Sequence, residues 1–284
     1  MSLFFSVDTE CWFHANYDGV EPFGQYGFDD RLEHNIDILL ALLSECSIKA
    51  TFFVLSSLAH SHKDALLKII NSGHKISSHG TNHRLLYTMN KGELRNELEH
   101  SKKTLQDALG VDVLGYRAAS WSLSSDIYDD FYEILAEQGY KYSSSLYPAQ
   151  KKLFGIKGAQ SSPHIVATKF GDIFEFPCTT VKVGGVRSGF SGGSFLRIFP
   201  FWLIKLLHKK ALGQNGVVDF YVHPREIDEK SKRIKLPPIL SFVHYHGVGT
   251  SVEKIKKVAQ LGKFDTFEDV VKNGRLLTNL PNTF

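Results

Sequence analysis

Three cysteines in 284 residues, Cys11, Cys46 and Cys178, leave little scope for sulfur chemistry. Their odd number and unrelated spacing exclude a disulfide framework and a thiolate zinc motif, so any metal is expected to have nitrogen and oxygen ligands. An excess of one charge is also lacking. The 33 Lys and Arg stand against 30 Asp and Glu, spread along the chain, and this balance argues against a nucleic acid partner. No apolar run reaches the roughly 20 residues of a membrane span. Nor does a basic segment or a small-residue cleavage site precede Leu3-Phe-Phe-Ser-Val7, so we expect a cytoplasmic protein. Internal repeats and low-complexity segments are absent.

What is present is an alternation of short β-rich runs with segments of helical period. With 43% apolar residues the chain can bury one large core, and its length suits one α/β barrel, so we expect a single domain over residues 1–284. Leu3 to Val7, Ala50 to Leu55, His74 to Ser78, Val113 to Tyr116 and Tyr140 to Ser144 read as strands. Between them, helices are expected over about 31–44, 64–71 and 127–137, and another opens at Asn90 with Glu93 three residues on and closes at Gly110. Strand, helix, strand in this order implies parallel pairing. Residues 147–193 break the rhythm and predict an irregular insert with a hairpin, containing Ile173-Phe-Glu-Phe-Pro177 and Thr179 to Val183. The stretch Phe199 to Leu212, apolar and then basic at Lys209-Lys210, fits an outer barrel helix or an interfacial membrane helix.

The chemistry-bearing residues sit where strands end. Asp8 and Glu10 are two apart, so the pleat points both carboxylates to one side, and one can hold a metal while the other handles protons. A loop-start acidic pair is the plainer reading of either. His79 and His83, four apart, can reach one ion if the backbone curls after its strand; with a carboxylate they make a facial set with open positions. Arg117, in a stretch poor in other charges, either forms a surface ion pair or keeps the non-ligand carboxylate ionised and oriented. His223 closes the run Val217 to Val222, and an imidazole there could protonate a leaving amine. His14, His34, His60, His62, His100, His208, His244 and His246 show no comparable pairing and are read as surface residues or supports of the site. The barrel is favoured over an open sheet because a ring of strand ends lets these distant pieces converge.

Taken together, Phe5-Ser-Val-Asp-Thr-Glu10, Ala50-Thr-Phe-Phe-Val-Leu55, Gly73 to His83, Gly115-Tyr-Arg-Ala-Ala-Ser-Trp121, Tyr142-Ser-Ser-Ser-Leu146, Phe174-Glu-Phe-Pro177 and Phe220 to Asp228 resemble the polysaccharide deacetylases of carbohydrate esterase family 4, the NodB-homology group. Within it, the chain is most similar to the branch associated with exopolysaccharide and exosortase gene clusters. The resemblance implies a distorted (β/α) barrel of seven strands. It also implies metal-dependent hydrolysis of N-acetyl groups on the amino sugars of a poly- or oligosaccharide. The ion would be zinc first, then cobalt, nickel, iron or manganese. Carried over, Asp8 is the base, Glu10, His79 and His83 the metal ligands, Arg117 the partner of the base and His223 the acid. A backbone N–H near Ser120 would face the oxyanion, and Trp121 would either wall the sugar subsite or pack at the pocket rim. Two positions depart from the pattern. Asp-x-Glu stands where many members have adjacent aspartates, leaving the roles of Asp8 and Glu10 exchangeable, and Ala118-Ala119 stands where Pro commonly follows Arg. An allantoinase-like cyclic amide hydrolase and an inactive carbohydrate-binding scaffold are the competing readings.

Overall fold

The architecture grows outward from β1 (Ser2–Thr9), whose last seven residues are buried. A strand enclosed on both faces reads as a nearly continuous apolar run, as this one does. It is flanked by parallel neighbours, β2 (Thr51–Val54) on one side and β10 (Val217–Val222) on the other. The structure, a computed structural model, describes residues 2–14, 16, 31–150, 155–231, 233, 235–274 and 282–283.

From β2 the parallel path continues through β3 (Lys75–Ser78), β4 (Gly115–Tyr116) and β5 (Tyr142–Ser143). Helices cross between them. In α1 (Leu32–Glu45), Leu32, Ile36, Leu39 and Leu43 form the buried stripe. α2 (Leu58–Ser61) and α3 (Lys63–Asn71) precede β3, and α3 buries Ala65, Leu66 and Ile69. α4 (Lys91–Leu109) begins with the reciprocal cap foreseen in the sequence: the Glu93 amide donates to Asn90 Oδ1 (3.0 Å) and the Asn90 amide to Glu93 Oε2 (2.9 Å). It ends at Gly110, whose φ of 67° suits glycine. α5 (Tyr128–Glu137) then leads to β5.

The interval 147–193 departs from a simple insert; its residues 151–154 lie outside the described part. A short strand β6 (His164–Val166) turns back antiparallel to β7 (Ile173–Glu175), and β7 joins β5 in parallel. Thus Ile173-Phe-Glu175 is the seventh strand of the parallel path β10-β1-β2-β3-β4-β5-β7 rather than part of an irregular insert. Three residues paired on both sides give too short a period-2 signal to mark a core strand. The expected hairpin is present as β8 (Thr180–Val183) and β9 (Val186–Gly189). α6 (Gly193–Ile198) and α7 (Phe201–Asn215) lead into β10. After β10 come α8 (Pro238–Tyr245), α9 (Ser251–Ala259), β11 (Phe264–Asp265) beside β1, α10 (Phe267–Lys272), and β12 (Asn282–Thr283) beside β6. The curled sheet is a distorted barrel left open: among the described residues no pairing joins β10 to β7. None of the described helices is long and apolar enough to cross a membrane.

The close approach of β4 and β5 explains Gly115. A Cβ there would lie 2.1 Å from ring atoms of Tyr142, which is fully buried and tied by its hydroxyl to Ser77 Oγ at 2.6 Å. Gly115→Ala therefore forces a core tyrosine aside. We expect a loss of about 1–3 kcal/mol in urea denaturation, the usual cost of overpacking; unchanged stability would mean that the two strands separate freely.

Candidate active site

Alternation along β1 and β10 builds the site floor. Ser6, Asp8 and Glu10 fall on one face of β1 and its extension, while Asp219, Tyr221 and His223 fall on one face of β10, with Ser6 paired to Tyr221 in register. The sheet thus sets a row of acids beside the late histidine. Asp8, Glu10, His79, His83 and Arg117 are buried.

Glu10, His79 and His83 each offer one ligand atom, and the three atoms lie within 4.8 Å of one another. The curl this requires occurs after β3, where Gly80 (φ 83°) and His83 (φ 56°) adopt left-handed backbone. His79 Nδ1 is 2.8 Å from the Arg117 carbonyl. A carbonyl can only accept, so Nδ1 carries the proton and Nε2 is left with the lone pair a metal needs. Burial pushes the His79 imidazole down to about 4 against the pull of Asp8, keeping it neutral. His83 Nε2 sits 2.9 Å from Glu10 Oε2. Burial would raise the Glu10 carboxyl, but His83 and then His223 and Arg225 hold it well below the usual range.

Asp8 faces a different partner. Arg117, fully buried, donates through Nη1 to Asp8 Oδ1 and to Ser6 Oγ, each at 2.8 Å. Through Nη2 it donates to Asp219 Oδ2 (2.8 Å) and Ser144 Oγ (3.0 Å), and its Cζ lies 4.0 Å from the centre of the Phe53 ring. Burial disfavours the guanidinium charge, yet Asp8 and Asp219 more than offset it, so Arg117 is held as a cation. Asp219 is raised, chiefly by burial, with Arg117 and Ser6 opposing. Ser6 Oγ also donates to Asp219, and Thr179 Oγ1 accepts from the Asp219 amide at 2.8 Å.

His223 stands across Glu10, with Nε2 3.8 Å from Glu10 Oε1. Its Nδ1 is 3.5 Å from Glu226 Oε2, and the same carboxylate oxygen accepts from the His223 amide at 3.1 Å. Burial lowers the imidazole, but Glu226 and then Glu10 outweigh it and leave it raised. Arg197 Nε donates to the other Glu226 oxygen at 3.2 Å. Ser120 and Trp121 both adopt left-handed backbone, φ 51° and 48°, a strained pair in the short turn Ala119–Trp121 that follows β4. The Trp121 ring is mostly buried and packs edge-on to Tyr221 at 4.7 Å, so it borders the site from the rim.

The sequence reading therefore finds its six polar positions gathered in one place, and it missed Asp219 and Glu226. Both left a signal: Asp219 is a lone acid in the apolar run Val217 to Val222, and Glu226 lies three residues beyond His223 in a turn. One other histidine was misplaced. His208 is buried in the scaffold, stacked on Phe220 at 5.8 Å, whereas His244 is buried beside Arg225, whose charge acts on Glu10 and Glu226, and so is a support of the site. One buried imidazole in an otherwise basic helix is invisible until the neighbouring strand is known.

Residues 26–143 match the polysaccharide deacetylase family model, and residues 144–272 match a second model described as a domain of unknown function, DUF3473. The first match contains His79, His83 and Arg117 and begins beyond Glu10, while the second contains Asp219 and His223. Chitin deacetylase 1 of Cryptococcus neoformans var. grubii is 32% identical over 132 residues, 46% of this chain but 25% of its own length. The chain thus spans about a quarter of that relative. Among solved structures, Puue allantoinase aligns with a TM-score of 0.62 at 14% identity, covering 99% of this chain and 92% of the other. A Mycobacterium smegmatis protein assigned to the polysaccharide deacetylases aligns at 0.59 with 20% identity, covering 88% and 80%. At such identities these two alignments establish the shared barrel and nothing finer.

The Glu226 contact makes a measurable statement about His223. Because the folded-state value is raised, the pair stabilises the protein fully below the ordinary histidine pKa, and the contribution is lost as pH rises through the folded value. In Glu226→Gln, the His223 ring resonance followed by NMR should titrate at lower pH. An unchanged midpoint would assign the raised value to Glu10 instead.

Proposed function

We propose that the chain is a metal-dependent hydrolase of the carbohydrate esterase family 4 (NodB) type that removes N-acetyl groups from amino sugars of an oligo- or polysaccharide, a reading supported by the match of residues 26–143 to the polysaccharide deacetylase model. The observation that carries this reading is the convergence of the Glu10, His79 and His83 donors beside two differently supported proton-transfer groups, Asp8 and His223. We read residues 1–284 as one catalytic unit, since both matched segments supply strands to one sheet and residues to one site. Exopolysaccharide formation is the setting we assign to it.

The donor set fits a divalent ion. Two imidazoles and a carboxylate, with His79 already in the required tautomer, suit zinc first, and cobalt, nickel, iron or manganese next. When bound, such an ion supplies Lewis-acid polarisation of the amide and eases deprotonation of water. The chain's own groups do the rest. Asp8, with Oδ1 tied to Arg117, presents Oδ2 as proton acceptor, and Arg117 fixes the direction in which that oxygen points. The split between Asp8 on Arg117 and Glu10 on the histidines supports base and ligand roles in that order. His223, its Nδ1 turned to Glu226, directs Nε2 into the site and can hand a proton to the departing amine nitrogen. A backbone N–H near Ser120 is the oxyanion donor we assign, and Trp121 with Tyr221 forms the apolar rim against which an acetyl or sugar face can rest.

Two experiments separate the roles. Asp8→Asn should abolish turnover of N-acetylglucosamine oligomers while zinc titration calorimetry shows binding largely kept, whereas Glu10→Gln should weaken zinc. The reverse pattern would exchange their roles, and turnover of a cyclic ureide in place of the oligomers would move the chain to the amidase reading. For the acid, His223→Ala should cost roughly 10² to 10⁴ in turnover of the N-acetyl substrate. The same variant should lose much less on an activated acetate ester, whose leaving group needs no proton. Equal losses on both substrates would make His223 a substrate-orienting or structural group.

A further inference from the structure

α7 hides one stripe of its surface and exposes another. Ile204, His208, Ala211 and Asn215 are buried at helical spacing, whereas Trp202 and Leu206, one turn apart, are 68% and 58% exposed. Large apolar side chains so exposed on a helix that also buries a core face call for a partner. Lys205, Lys209 and Lys210 surround them, all exposed, and α7 contains no Asp or Glu. The stripe extends past the helix. Trp202, Leu206, Lys210 and Gln214 follow at four-residue spacing, and the Gln214 side chain exchanges hydrogen bonds of 2.9 and 3.1 Å with the Lys182 backbone at the tip of the β8–β9 hairpin. There Val183 and Val186 are exposed as well.

An indole and a leucine within a collar of ammonium groups match the boundary between headgroups and acyl chains of an anionic bilayer, apolar below and negative above. A second copy fits poorly, since a self-complementary contact would bring the lysines of one helix against those of the other. We propose that this face of α7 docks on an anionic membrane surface, with Trp202 and Leu206 at the acyl boundary and the lysines on lipid phosphates. The fold gives the contact a direction. α7 ends at Asn215, just before β10 begins, and packs back along that strand, so its Trp202 end lies at the same end of the barrel as His223. Over its 15 residues the helix spans about 22 Å. A docked molecule would hold its mouth near the lipid, and, if the hydrolase reading holds, saccharides carried on lipid would reach it.

The tryptophans supply the probe. The chain has three, and Trp12 and Trp121 are buried at 5% and 8% exposure, so a change in intrinsic fluorescence on lipid binding reports Trp202. The full chain is mixed with extruded vesicles of equimolar phosphatidylglycerol and phosphatidylcholine, or of phosphatidylcholine alone, and followed by emission and co-sedimentation. We expect a blue shift and salt-sensitive sedimentation with the anionic vesicles only. Partition should fall about tenfold or more in Trp202→Ala/Leu206→Ser and in Lys205→Glu/Lys209→Glu/Lys210→Glu. All five side chains are exposed, and thermal melting checks the fold; should the apolar variant melt early, the lysine variant decides. Absence of sedimentation, equal partition to neutral vesicles, or indifference to both variants overturns the proposal. A dimer in sedimentation velocity that the same substitutions abolish would assign the face to self-association and overturn it too. The readout is lipid binding alone, so a failure of the hydrolase reading leaves it untouched.

Discussion

A guanidinium sealed from water is the constraint on which the rest of this structure depends. Arg117 is fully buried, and a buried charge is tolerated only when paired and hydrogen-bonded. Here the pairing uses both sides of the barrel: Asp8 from β1, Asp219 from β10, and hydroxyls from Ser6 and Ser144. Breaking one arm of such a cluster typically costs about 3–5 kcal/mol, because the other charge stays buried. The same network that locks four strand ends together therefore also aims the carboxylate assigned as base.

Two carboxylates two residues apart acquire different environments from this arrangement. Asp8 is drawn to Arg117 and Glu10 to His83, so a single strand end presents two acids with different neighbours. A similar division holds for the imidazoles. His79, buried with its Nδ1 on a carbonyl, is kept neutral at about 4, whereas His223, facing Glu226 and Glu10, is raised. Environments that push like groups apart are how one pocket can both accept and donate protons near neutral pH.

The centre also joins the two segments recognised by separate family models. His79, His83 and Arg117 lie in the first, and Asp219, His223 and Glu226 in the second. Neither holds a complete set. Arg117 would lack one carboxylate without β10, and the Glu10 and histidine group would lack the imidazole opposite.

Residue type and short-range spacing determined much of this by themselves. The alternation of strands and helices, the Asn90 and Glu93 cap, and the placing of Asp8, Glu10, His79, His83, Arg117 and His223 at strand ends are local facts, written in the 2 and 3.6 residue periods and in capping chemistry. Tertiary structure alone decided the partners. Which acid meets Arg117, that Asp219 closes its other side, that Ile173 to Glu175 is a barrel strand, and that His208 faces the core all depend on contacts between residues far apart in sequence, and the approach of His83 to Glu10 depends on backbone turned by its own left-handed conformation. A carboxylate's ionisation and an imidazole's tautomer are set by the few ångströms around them, and the chain brings those neighbours together only when the sheet curls.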